Sequence, residues 1–298
     1  MFGSVGGSMS TNTAILSPEM PSEVRKAALL NLLTDEDAAV YQLVRERIIA
    51  HGPAAVDWLR PHTLSNDASL RRRAREIIRH FARQSADDQF VGFCLRQGED
   101  LDLEQGVWLL AQTEYPDCKP EAYEALFDSY AGELRERLDR RAGAEHILGV
   151  LNDYVFGVLG FRGNEEHYYD PENSYLNRVV DRRKGNPISL CLVYLLLARR
   201  LGLPVTGIGL PGHFICRFQS SAAELYVDVF NGGQIWTKAN CIQYLLYGNY
   251  ALEDDYLAPL SPRRLLTRVC HNLHQIYRQA ERPEEITRLQ RYLTALGS

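Results

Sequence analysis

Apolar positions follow two rhythms along this chain, and the change falls near residue 150. In the first half, Val40, Leu43, Val44 and Ile48 recur at helical spacing behind the acidic start Thr34-Asp35-Glu36-Asp37. That pattern predicts an amphipathic helix, which Gly52-Pro53 ends. A second stripe, Leu70, Ala74, Ile77, Ile78 and Phe81, follows the start signals Ser65-Asn66-Asp67. Residues 22–148 therefore read as helix after helix. The short-helix, Gly/Pro-turn rhythm is like that of HEAT-type repeats, with about two units and no clean period. Further on, Ile188 to Ala198 is apolar apart from Ser189 and follows Asn186-Pro187, an N-cap and a residue suited to the first helical turn. A helix apolar nearly all round has to be covered on several sides. A membrane span needs about 18 apolar residues, so this shorter run reads as a buried central helix. The period then drops to two. Phe214, Cys216 and Phe218 alternate with Ile215 and Arg217, and Leu225, Val227 and Val229 with Tyr226, Asp228 and Phe230, predicting a hairpin of two strands. After Pro262 helical spacing returns, with a turn at Glu281-Arg282-Pro283, in the manner of one tetratricopeptide-like hairpin. One such unit cannot bury its own face and has to dock.

Composition narrows the class. The 298 residues, 45% of them hydrophobic and 24% charged, suit about two compact units of an ordinary soluble protein. A net charge of −5 argues against nucleic acid as a partner. The six cysteines, at 94, 118, 191, 216, 241 and 270, form no C-x-x-C pair. They read as reduced, mostly buried thiols of a cytoplasmic protein. The opening MFGSVGGSMS has no basic n-region and no apolar core, so residues 1–21 read as a flexible leader rather than a secretory signal. Arg71, Arg72, Arg73, Arg75, Arg79 and Arg83 crowd one predicted helix. With the chain acidic and no aromatics interleaved there, a solvated face is the stronger reading over a phosphate-binding stripe.

Three side chains suited to thiol catalysis occur in order: Cys191 on the central helix, His213 at a strand start and Asp228 on the next strand. A thiol nucleophile needs an imidazole to take its proton and a third group to orient the imidazole. A turn centred between Ser220 and Ser221 pairs His213 directly with Asp228, and a register slip of two still leaves them diagonal neighbours. Strand parity turns Cys216 to the opposite face from His213. The same pairing also suits a purely structural histidine. Metal ligation by His167, His213 and Asp170 has the atoms but no ligand spacing, so neither metal nor cofactor is expected. His271 and His274 share a helix face without an evident carboxylate. Tyr168, Tyr169 and Tyr175 read equally as groove lining or as loop anchors.

The segments LLAQTEYPD (109–117), LNDYVFGVLGFRGN (151–164), YYDPENSYLNRVVDRRKGNPISL (168–190), RRLGLPVTGIGLPGHF (199–214) and DVFNGG (228–233) closely resemble the SirB-type branch of the transglutaminase-like superfamily, over about residues 100–298. The resemblance implies a papain-like α+β core with a central buried helix and antiparallel strands. It also implies a Cys-His-Asp triad whose His and Asp fall on His213 and Asp228. In catalytic members the nucleophile follows almost directly on a glycine that opens the central helix. Here Gly185 is followed by Asn186 and Pro187, and Cys191 lies about 6 to 7.5 Å deeper along the axis. That depth weakens any activation by the helix N-terminus. Ser189 is nearer the helix start. Related modules inside eukaryotic F-box proteins resemble interaction domains.

The resulting expectation is a helical, HEAT-like module over residues 22–100, a SirB-type transglutaminase-like domain over 101–260 and a helical hairpin over 261–298. Candidate catalytic residues are Cys191, His213 and Asp228, with Asn164, Tyr169, Asn173, Asn186, Ser189 and Asn231 supporting the site or its groove. The function expected is a non-catalytic module that binds another protein, without a membrane. The alternative is a cysteine-dependent amide hydrolase or acyltransferase.

Overall fold

The apolar run after Asn186-Pro187 forms the helix Pro187–Leu201, and every residue from Pro187 to Ala198 is buried, as a helix without a polar face requires. The computed structural model describes residues 22–250 and 254–297. The leader expected over residues 1–21 lies outside them. The chain divides into two compact units between Gln84 and Ser85. The first contains α1 (Glu23–Leu33), α2 (Ala38–Ile49), α3 (Ala55–Leu59) and the start of α4 (Ala68–Arg96). Its core is Leu33, Val44, Ile48, Ala55, Leu59, Ala74, Ile77 and Phe81, which takes Val44, Ile48, Ala74, Ile77 and Phe81 from the expected stripes, whereas Leu43 of the first stripe is exposed. The division comes earlier than the expected residue 100, because Phe90, Phe93 and Cys94 of α4 are buried in the second core.

The arginines of α4 split between two roles. Arg72, Arg75 and Arg79 are exposed, although Arg75 also donates to the Thr63 carbonyl at 2.9 Å. Arg71 donates to the Ser65 carbonyl at 2.6 Å, and Arg73 donates to the carbonyls of Leu33 and Asp35 while lying over the Tyr41 ring. These guanidiniums satisfy carbonyls that the ends of α1 and of a neighbouring turn leave open.

The second unit continues with α5 (Leu103–Glu114), α6 (Pro120–Arg137), α7 (Ala144–Asn152), a π-helical turn Asp153–Val158, β1 (Arg162–Gly163), α8 (Leu176–Arg182), β2 (Lys184–Gly185) and the central helix, α9. Four strands follow, β3 (Val205–Leu210), β4 (His213–Gln219), β5 (Glu224–Asp228) and β6 (Gln234–Trp236), then α10 (Lys238–Tyr247), α11 (Pro262–Gln279) and α12 (Pro283–Gly297). The result is a helix-dominated α+β fold. The four strands form one antiparallel sheet in sequence order; β3, β6 and α10 extend the two-strand hairpin expected. One sheet face, with Phe214, Cys216, Phe218 and Val227, joins the core around α9. The other, with Ile208, Leu210, Ile215 and Tyr226, packs on Cys241 and Leu245 of α10. Helices α6, α8 and α11 enclose the rest of α9. Helices α11 and α12 pack on each other and α11 also meets α5, the docking expected of a lone hairpin. Among the described residues no helix is long and apolar enough to cross a membrane.

A buried cation ties this unit together. Arg263, at the start of α11 and 7% exposed, donates to the carbonyls of Leu296, Cys94, Gln97 and Ala295 at 2.8–2.9 Å. It thus closes the C-terminal ends of α4 and α12, where open carbonyls favour a positive charge. Replacing it strands the three buried carbonyls of Cys94, Ala295 and Leu296 away from water. Arg263→Met is expected to cost about 3 kcal/mol, measured as a lowered urea midpoint, and Arg263→Lys to recover only part, since one ammonium cannot fork to two helix ends.

Candidate functional site

The site begins where the chain enters α9. Asn186 is the N-cap: its side chain accepts the Ser189 amide at 3.0 Å, while the Ser189 hydroxyl accepts the Asn186 amide at 3.0 Å. This reciprocal capping box satisfies donors that a helix start leaves open. Gly185 makes it possible, because a Cβ there would lie 2.5 Å from Ser189 Oγ. Parallel pairing of β1 with β2 brings up the loop that follows β1. Asn164 donates from its backbone to the Gly185 carbonyl at 3.0 Å and from its side chain to Asn173 at 2.9 Å. Asn173 donates to the carbonyls of His167 and Tyr168. The Asn186 amide group donates to Ser174, as does Asn272 of α11. Asn164, Asn173, Asn186 and Ser189 thus form one buried network holding the head of α9, with Ser174 and Asn272 as members that the sequence reading did not single out.

His213 and Asp228 meet. Nε2 of His213 lies 3.0 Å from Oδ1 of Asp228, an ion-pair distance. The register differs from the expected one. Cys216 pairs with Val227, so Asp228 lies across from Ile215 and diagonal to His213. The cause is the turn: Ser220 Oγ accepts the amides of Ala222 and Ala223, and the turn spans Ser220 to Ala223. Asp228 is fully buried and accepts from the Phe230 and Asn231 amides and from the Asn231 side chain at 2.8 Å. Burial by itself pushes its carboxyl up, but His213 and the Asn231 donors outweigh burial and hold it below the ordinary 3.8. Rings of Phe230, Trp236 and Tyr244 surround the imidazole at 5.8–6.4 Å.

His213 opens onto a cleft of about 370 Å³, whose walls are Tyr168 and Tyr169, the head of α9 from Asn186 to Ile188, Phe214, and Arg268, His271, Asn272 and Gln275 of α11. Tyr169 is 61% exposed. Tyr175 is instead an anchor, buried with its hydroxyl 3.2 Å from that of Tyr277.

Cys191 lines no part of that cleft. It is fully buried, and the Cys216 thiol donates to its sulfur at 3.2 Å. Cys216 belongs to the sheet face that packs on α9, and His213 sits at the opposite strand parity. Cys191 therefore faces the sheet side away from the His213–Asp228 pair. Burial, then contact with Cys216, pushes its thiol well above the ordinary range, so it carries no thiolate at neutral pH. The pairing with Cys216 is legible only once the face of each is known. Among the described residues no group of three or more His, Cys, Asp or Glu side chains could hold a metal.

The transglutaminase-like superfamily profile matches residues 121–271. This chain belongs to the transglutaminase-like superfamily. Its relatives include a UPF0162 protein of Xylella fastidiosa, 37% identical over 64% of this chain and 70% of the relative. Another is a UPF0162 protein of Pseudomonas aeruginosa, 31% identical over the same shares. Human F-box only protein 21 is 33% identical over 43% of this chain and 21% of its own length. No solved structure matches. In this chain the His213–Asp228 pair lies at a cleft whose helix head carries Asn186 and Pro187.

Two measurements probe these environments. Because the Asp228 carboxyl is held below its ordinary value, its contribution to stability is complete above pH about 3.8 and is lost as pH falls through the native value. Asp228→Asn is expected to cost about 1–3 kcal/mol at neutral pH, with the deficit narrowing in urea titrations below pH 4. Of the six thiols only Cys118 is not buried, and burial pushes it to about 11. Native protein at neutral pH should therefore label slowly and at Cys118 first, at a rate that Cys191→Ala leaves unchanged.

Proposed function

We propose that this protein is a non-catalytic transglutaminase-like module that binds another protein through its cleft and helical arms. The observation that carries the reading is the seat of Cys191: buried, paired with Cys216 and facing away from His213. Asn186 and Pro187 occupy the head of α9, where its helix dipole would activate a thiol. Ser189 offers no substitute, since its hydroxyl is engaged with the Asn186 amide and carbonyl. The His213–Asp228 pair then serves as a rigid polar wall of the cleft. Reading the N-terminal helices as HEAT-like and the α11–α12 hairpin as tetratricopeptide-like fits the same role, as both are architectures of binding surfaces. The match inside the much longer F-box only protein 21 supports a module used within larger proteins. Six free cysteines suit a reducing compartment, which we take to be the cytoplasm.

The His213–Asp228 contact favours a second reading, an amide hydrolase or acyltransferase with Cys191 as nucleophile. That reading requires Cys191 to leave Cys216 and reach the cleft. The two are separated by incubating the full chain with glutamine-containing peptides, with and without a primary amine, and measuring ammonia release and amine incorporation. Background rates, unchanged in Cys191→Ala and His213→Ala, are the expected result. A rate above background that falls about a hundredfold or more in Cys191→Ala overturns the binding-module reading.

A further inference from the structure

Helix α11 buries Leu266, Val269 and Leu273 in the core, and its opposite face is basic. Arg264, Arg268, His271, Gln275 and Arg278 follow one another at steps of four, three, four and three, the spacing that keeps side chains on one line of a helix. All five are exposed. Other arginines of this unit are answered, Arg288 by Glu114 and Arg178 by Glu172. Among the described residues, none of the four basic side chains of the α11 stripe has an ion-pair or hydrogen-bond partner.

The stripe also borders three depressions. Arg264, Arg268 and His271 line one of about 540 Å³ beside Pro211 and Tyr256. Arg268, His271 and Gln275 line the cleft at His213. Gln275 and Arg278 line a third. Among the described residues no aspartate or glutamate lines any of the three. In a chain whose net charge is −5, a basic line without carboxylates is a local reversal of sign.

The geometry points to an acidic peptide segment of a partner protein, laid along α11 with one carboxylate between Arg268 and His271 at the cleft. This inference rests on the binding-module reading and specifies the chemistry of what is bound. From Arg264 to Arg278 the stripe runs about 21 Å at 1.5 Å per residue, the reach of about six extended residues. Nucleic acid fits less well. The basic residues form a single row rather than a broad patch, and the cleft walls include Tyr168, Ile188 and Phe214, which suit side chains flanking an acidic residue. The basic crowd on α4, more conspicuous in the sequence, is partly used up on backbone carbonyls.

The test uses the full chain, fluorescein-labelled hexaglutamate as probe, and a hexathymidylate oligonucleotide as comparison, with binding read by anisotropy. Hexaglutamate is expected to bind more tightly than the oligonucleotide and to weaken between about 50 and about 200 mM salt. Arg268→Glu is expected to weaken it about tenfold, His271→Gln less, and Arg72→Glu on α4 not at all. All three positions are exposed, so the variants fold. Equal affinity in Arg268→Glu, no binding up to about 1 mM protein, or tighter binding of the oligonucleotide overturns the proposal. So does wild-type self-association that Arg268→Glu abolishes in the absence of hexaglutamate binding, which assigns the stripe to a second copy of the chain. The ammonia and amine assays on the same proteins decide the binding-module reading separately, so a failure of either is distinguishable from a failure of the other.

Discussion

Everything in the larger unit depends on the satisfied first turn of α9. A helix buried from its first turn through Ala198 cannot leave its opening amides to water, so the protein has to supply their partners from within. Asn186 and Ser189 do so reciprocally, and Asn164, Asn173, Ser174 and Asn272 hold Asn186 in turn. These residues come from the loop after β1, the approach to α8 and the face of α11. Capping the central helix therefore also brings together the walls of the cleft. The local requirement of one helix end and the shape of the candidate site are the same set of hydrogen bonds.

The sheet works as a partition. Side chains alternate across it, so one face meets α9 with Cys216 and the other presents His213 and Asp228 among the rings of Trp236 and Tyr244. Thiol and imidazole lie close in sequence order yet in different chemical compartments, one apolar and closed, the other polar and open. A Cys-His-Asp order along a chain is thus weaker information than the parity of the strands that carry it.

Much of this was legible in the residues. The apolar run behind Asn-Pro marked the central helix, and alternation marked β4 and β5. Counting across the hairpin placed His213 near Asp228, but one residue of turn geometry, fixed by Ser220, shifted direct opposition to a diagonal. Strand β3 escaped because its sequence, VTGIGL, lacks alternation and carries two glycines, while β1 and β2 are two residues each and arise only from long-range pairing. The basic line on α11 is present in the sequence as a 4-3-4-3 spacing. Any amphipathic helix shows such a polar face, and only the depressions beside it set this one apart. The network at Asn186 could be guessed at its capping box but not at Ser174 and Asn272, which are distant in the chain.

Arg263 has a consequence for how the chain acquires its structure during synthesis. Two of its carbonyl partners lie 169 and 166 residues before it, and the other two 32 and 33 residues after it. A guanidinium leaving the ribosome ahead of Ala295 and Leu296 has only half of its acceptors, and burying it then would strand the remaining donors. The start of α11 is therefore expected to stay hydrated until the last turn of α12 has been made. The larger unit closes late, while the helical unit that precedes it can form first, as domains do during translation.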